Sequence, residues 1–198
     1  REGDELLDAV MTNGQSEILL AGRHGRCCRF DESDARALGR TASGVRGINI
    51  DDDDEVIGMI AYDPTAEDAQ AHSLLVVSEH GYGKRSDFDE YRKTNRGGKG
   101  VKTLNITEKT GELVAMKNVT DENDLMIINR SGITIRMAVA DIKVAGRATQ
   151  GVKLINIKDG DSIAAVSAVN KSEDENAEAQ VAEQATEQTP QSQEQNYE

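Results

Sequence analysis

The 198-residue sequence contains no tryptophan, two phenylalanines and four tyrosines. Its core must therefore rest on Val, Ile, Leu and Met, and an aromatic-rich interior is not expected. Cysteine is scarce as well: Cys27 and Cys28 are the only two, and they are adjacent. Neighbouring cysteines rarely bond to one another, which argues against a disulfide framework. A metal site would need further ligands at set spacing, and His24, His72 and His80 do not supply them. The two thiols read instead as small strand residues in a reducing compartment. No apolar run approaches membrane-spanning length, and no charged n-region precedes an apolar stretch, so neither a membrane helix nor a secretion signal is in view. Two prolines against eighteen glycines favour tight turns between short antiparallel strands over long helices.

Net charge is −13, which taken alone argues against a nucleic-acid partner. Its distribution says otherwise. Residues 1–70 hold 16 acids and 7 bases, residues 71–170 hold 12 acids and 15 bases, and residues 171–198 hold 8 acids and 1 base. The middle of the chain is thus mildly basic. The stretch 171–198 has few large apolar residues, cannot offset its ordering entropy by burial, and reads as a disordered acidic tail. Asp51–Glu55 reads as a solvated turn. Unspaced carboxylates without a glycine hinge are a poor calcium loop.

Three segments align without gaps over their best-matched parts. They run from Glu17 to Ile50, Ser73 to Ile106 and Asp124 to Ile157. Gly25, Gly81 and Gly132 each lie 19 residues before Gly44, Gly100 and Gly151. Arg29, Arg85 and Arg136 follow the first glycine by four, and Arg40, Arg96 and Arg147 precede the second by four. Asn-Ile closes each segment. Each unit carries an apolar run (18–21, 74–77, 125–128), a Gly-centred turn and a strand bearing the arginine. A polar excursion, a Gly-Val-(Arg/Lys) segment and a last apolar run (56–62, 113–119, 163–169) follow. About four short strands per repeat predict an all-β, propeller-like array of three four-stranded antiparallel blades over 17–72, 73–123 and 124–170. Residues 2–12 read as the closing strand of a preceding blade within a segment 1–16. Residues 31–38 allow a helical turn capped by Ser33 or Asp34. The chain opens on Arg with a repeat already under way and is expected to be cut from a longer one.

Catalysis is not expected of this segment. The histidines have no fixed partner, no triad-like context surrounds any Ser or Asp, and the tyrosines are expected in turns or the tail. The recurring cations are the sharper signal. Two arginines per unit, joined by Arg46, Lys102 and Lys153, would form a curved basic track if blades stack, suited to phosphates and requiring no base-reading residue. The candidate DNA-binding set is Arg40, Arg46, Lys84, Arg85, Arg96, Gly97, Gly98, Lys99, Lys102, Arg136, Arg147 and Lys153. In Arg96–Gly100 the glycines bring backbone and two cations close to a partner, although the spacing is not that of a P-loop. The alternative is that the arginines brace blades, and it is strongest for Arg29, Arg85 and Arg136, which lie within strands.

The stretches ALGRTASGVRGINI, EHGYGKRSDFDEYRKTNRGGKGVKTLNI and GRATQGVKLINI resemble the C-terminal domain of DNA gyrase A subunits, over about 1–170. The resemblance implies a β-pinwheel whose blades exchange a strand and whose basic outer edge wraps double-stranded DNA in a positive sense. It further implies that the wrapped segment passes to a gyrase A core, working with a gyrase B subunit in ATP-dependent negative supercoiling. It implies no cofactor for this segment, ATP and Mg being used by other domains, and a cytoplasmic, nucleoid-associated setting with no membrane. The family's box, Gln-Arg-Arg-Gly-Gly-Lys/Arg-Gly, is matched only in its core, since Thr94 and Asn95 stand before Arg96–Gly100. The family's DNA-cleaving tyrosine belongs to a part outside this sequence. An acidic tail such as 171–198 would act as a brake by competing with DNA. The alternatives are the similar domain of topoisomerase IV and a protein-interaction propeller. Of the latter, the WD-repeat kind normally needs the tryptophan missing here, and the chromosome-condensation-regulator kind has different glycine clusters.

Overall fold

Each of the three repeats becomes an antiparallel sheet, and in two of them the outermost strand comes from the repeat that follows. The computed structural model describes residues 5–171. The acidic segment read from the sequence lies, from residue 172 onward, outside the described residues.

In the first unit β1 (Glu17–Gly22) pairs with β2 (Arg26–Asp31) and with β3 (Val56–Tyr62). In the second, β4 (Ser73–Ser78) pairs with β5 (Tyr82–Ser86) and β7 (Leu113–Val119). In the third, β8 (Asn123–Asn129) pairs with β9 (Thr134–Ala138) and β11 (Ile163–Asn170). The exchange strands are two residues long. β6 (Val101–Lys102) joins β2 of the first sheet, and β10 (Val152–Lys153) joins β5 of the second. The first two sheets thus have four strands and the third has three, where four were expected. The Gly-Val-Arg segment of the first unit, Gly44–Arg46, forms no strand among the described residues.

Glycine at the start of each exchange strand is required twice over. Gly100 and Gly151 have φ of 70° and 76°, a region costly for residues with a Cβ. A Cβ there would also strike the carbonyls of Cys27 and Gly83.

Strand β7 packs against β3 on one side and β11 on the other. Apolar clusters fill the two junctions. Leu19, Ala21, Cys27, Ile60, Tyr62, Leu74, Val76, Phe88, Tyr91 and Leu104 lie between the first and second sheets. Leu75, Val77, Leu125, Ile127, Val139, Ile142 and Ile163 lie between the second and third. A smaller cluster of Ile18, Cys28, Phe30 and Ile48 covers the other face of the first sheet.

Several sequence expectations are corrected here. Both phenylalanines and three of the tyrosines are buried, so the few aromatics are concentrated in the core. Tyr62 lies on β3 and stacks on Phe88, centroids 3.9 Å apart. The described part of the expected closing strand, residues 5–12, has no strand, and Leu6 and Met11 are exposed. The excursion does hold a 3₁₀ turn, Glu32–Asp34, but its cap is Asp31, which accepts a hydrogen bond from the Ser33 amide at 3.0 Å. Asp54, within the acidic run, is turned inward and accepts from the His24 amide at 3.0 Å. No helix among the described residues is long and apolar enough to cross a membrane.

Candidate nucleic-acid interface

The repeated arginines divide into two groups by burial. Arg29 is buried. It pairs with Glu17 and donates from Nη1 to the carbonyls of Phe88 and Tyr91, the latter at 3.0 Å. One repeat on, Arg85 is also buried. It donates from Nε to the Ile142 carbonyl at 3.0 Å, reaches the Ala140 carbonyl, and pairs with Asp121. Each therefore clamps the 3₁₀ turn of the next unit, Phe88–Glu90 or Val139–Asp141. Ser73 replaces Glu17 in the second unit, and its hydroxyl is left without a partner, while Arg85 turns to Asp121 instead.

Lys84 is fully buried between sheets, its ammonium donating to the Gly146 carbonyl at 2.6 Å. Burial pushes its pKa down to about 8. Lys84 and Arg85 consequently leave the proposed DNA track: they are packing residues, and their polar groups are already satisfied inside the protein. Arg136, paired with Asp124 at 2.6 Å, is exposed because no further unit follows it among the described residues.

The second arginine series lies at the surface and reaches across units. Arg96 donates to the carbonyls of Asp34 (2.8 Å) and Arg46 (2.5 Å). Arg147 donates to the equivalent carbonyl of Lys102 at 2.9 Å. The closing asparagines have a repeated partner too: Arg46 donates to Asn49 Oδ1 at 3.4 Å and Lys102 to Asn105 Oδ1 at 3.2 Å. Arg40, Lys99 and Lys153 are exposed, and their side chains make no hydrogen bond or ion pair among the described residues.

One loop stands apart from the others. Arg92–Gly100 and Arg26 form an open groove of about 490 Å³, lined by Arg26, Arg92, Arg96 and Lys99 with no carboxylate. The loop is fixed from several sides. The Gly97 amide donates to the Gly47 carbonyl at 2.8 Å, and the Gly98 carbonyl accepts from Asn49 at 2.9 Å. Arg26 caps the carbonyls of Lys99 (3.0 Å) and Gly100 (2.7 Å). Gly97 has a φ of 80°, and Gly97–Gly98 leave the groove floor without side chains. A preorganised backbone flanked by four cations is suited to phosphate oxygens and gives no base discrimination.

Sequence reasoning missed Arg26 and Arg92. The equivalents of Arg26 are Tyr82 and Ile133, so an argument from repeated phase could not find it. It also missed Lys109 and Lys158, which join the expected Lys153 around His80 and Tyr82 in a second groove that includes Asp159 and Asp161. The Lys109 ammonium lies 5.4 Å from the Tyr82 ring centroid.

Against known proteins, the family model described as the DNA gyrase C-terminal domain, β-propeller, matches residues 16–63, 72–120 and 123–170. The DNA gyrase A subunit of Staphylococcus epidermidis is 45% identical over 174 residues, covering 88% of this chain and 19% of the relative. That of Staphylococcus aureus is 45% identical over 194 residues, covering 95% and 21%. The chain thus spans about a fifth of the length of these relatives. Among solved structures, a DNA gyrase A C-terminal domain is similar with a TM-score of 0.69 at 22% identity, over 78% of this chain and 50% of that one. A DNA topoisomerase IV C-terminal domain is similar with a TM-score of 0.75 at 21% identity, over 89% and 54%.

Proposed function

Because the chain belongs to the family of DNA gyrase C-terminal β-propeller domains, we propose that it binds duplex DNA along its outer rim, without reading sequence, and bends the duplex round the stacked sheets. The observation that carries this reading is the groove of Arg26, Arg92, Arg96 and Lys99. It is free of carboxylates in a chain whose net charge is −13. Acidic proteins do not gather four cations over a glycine floor without a local reason, and a polyanion supplies one. Exposed Lys102 and Lys153 and half-buried Arg147 continue the basic surface toward the next junction.

On this reading the protein supplies positioning and charge, and no reacting group. Bending a duplex costs several kcal/mol, which phosphate contacts repeated from unit to unit offset. Within a full-length gyrase A chain, the bent segment would be presented to the parts that cleave and pass DNA, with ATP and the gyrase B partner. The 45% identity to gyrase A proteins favours this role over that of the topoisomerase IV paralogue.

The test is the salt dependence of binding to a short duplex, followed by fluorescence anisotropy. Affinity should fall steeply between about 50 and 200 mM salt. The pair Arg92→Ala and Lys99→Ala removes two cations that hold nothing else in place, and should reduce the slope of log K against log salt by about 2. An unchanged slope, or binding indifferent to salt, would remove the groove from the interface.

A further inference from the structure

The loops of the second and third units hold equivalent places in the repeat but carry their charge differently. Around the second unit's loop, Arg26, Arg92, Arg96 and Lys99 flank a floor of Gly97 and Gly98. The equivalents in the third unit are Tyr82, Lys143, Arg147 and Gln150, with Ala148 and Thr149 in place of the glycines. Two cations and the bare floor are thus missing there. One cation is gained instead, inside the junction. Lys84 takes the place of Cys28, whose sulfur lies 3.7 Å from Thr94 Oγ1 of the second unit's loop. Ile135 occupies the same place in the third unit.

The Lys84 side chain is fully buried. Its ammonium donates to the carbonyl of Gly146, the residue before Arg147, at 2.6 Å, and reaches Ser86 Oγ at 3.5 Å. Its hydrogen bonds are met, but its charge is not, for no carboxylate forms an ion pair with it among the described residues. Val76 stands opposite it on β4. The charged groups that act on it are Glu90, which accepts from the Arg147 amide at 2.9 Å, and Arg147 itself. The first favours its charged form and the second opposes it. A buried cation without a paired carboxylate is costly to hold, and burial brings its pKa down to about 8. An anion arriving at the loop supplies the missing counter-charge.

On the reading that duplex DNA follows the rim, we propose that Lys84 is a buried positioning residue for DNA: it anchors the loop that carries Arg147 and supplies from beneath a cation that the loop's surface lacks. Lys84 itself touches no phosphate. Phosphates at the loop favour its charged form, so binding takes up a proton, and by linkage affinity falls as pH rises through about 8. Exposed lysines lose their charge only near pH 10, so the third unit's loop responds to alkali before the second unit's groove does.

Affinity for a short duplex at constant salt, followed by fluorescence anisotropy from about pH 7 to 9, tests this. If phosphates raise the Lys84 pKa by about one unit, wild-type affinity should fall about fivefold across that range. Lys84→Met keeps the bulk and drops the charge. It should bind about tenfold more weakly at pH 7 and come within about twofold of wild type at pH 9. A merely structural loss leaves the same deficit at every pH. Where Lys84→Met fails to fold, Glu90→Gln serves: it removes the anion that favours the charged form and should move the fall in affinity to lower pH. A wild type indifferent to pH, a deficit constant from pH 7 to 9, or a profile unmoved by Glu90→Gln would overturn the role of Lys84 while leaving rim binding intact. No binding to duplex at any salt or pH would overturn both.

Discussion

Lys84 shows how far a residue's place in a repeat can mislead about its surroundings. Its equivalents are Cys28 and Ile135, both apolar in character, and the position faces a junction, not solvent. Only the structure shows the ammonium spanning that junction to the Gly146 carbonyl. Because burial lowers the folded pKa to about 8 from 10.5, the unfolded chain holds more protons than the folded one between those values. Stability should therefore rise with pH through that window, by at most about 3 kcal/mol from this group. Urea unfolding from pH 7 to 10.5 should show wild type gaining on Lys84→Met as pH rises. Parallel profiles would mean that the charged form is well accommodated. Arg29 and Arg85 carry the same lesson. Recurrence at fixed phase marked the series as important without separating a clamp from a phosphate contact, but their place within strands favoured the clamp, which Arg29 and Arg85 form.

At the scale of elements, the sequence was most legible where a strand pairs within its own unit. The apolar runs at 18–21, 74–77 and 125–128 fall inside β1, β4 and β8, and the last runs coincide with β3, β7 and most of β11. The exchange strands were harder to read, because two residues pair through their backbone with a strand of another unit and leave no periodicity. Residues 5–12 misled because an apolar pattern does not form a strand without a neighbour to pair with. The excursions were read as polar connections, yet those of the second and third units carry the plugs that close the junctions. Phe88, buried and stacked on Tyr62, is such a plug. Phe88→Ala should lower unfolding free energy by about 3–5 kcal/mol, measured by chemical denaturation. A loss below about 1 kcal/mol would mean that the junction closes without it.

For the whole molecule, charge placement matters more than net charge. The acids of the first unit lie largely in the turn 51–55 and the excursion 31–34, while the loop of the second unit gathers cations from two units into one groove. The sequence identified Arg96–Gly100 as that loop, but not Arg26, which is brought to it across 73 residues by the pairing of β2 with β6. The central claim is that this rim holds and bends DNA, and a bent, wrapped duplex changes its linking number when relaxed. The most direct measurement is to relax a closed circular plasmid with a nicking-closing topoisomerase in the presence of increasing protein, then resolve the topoisomers. The account predicts a shift of the distribution toward positive linking difference that grows with bound protein and is lost when Arg26, Arg92, Arg96 and Lys99 are all alanine in a folded variant. A distribution unchanged at saturating protein would contradict it.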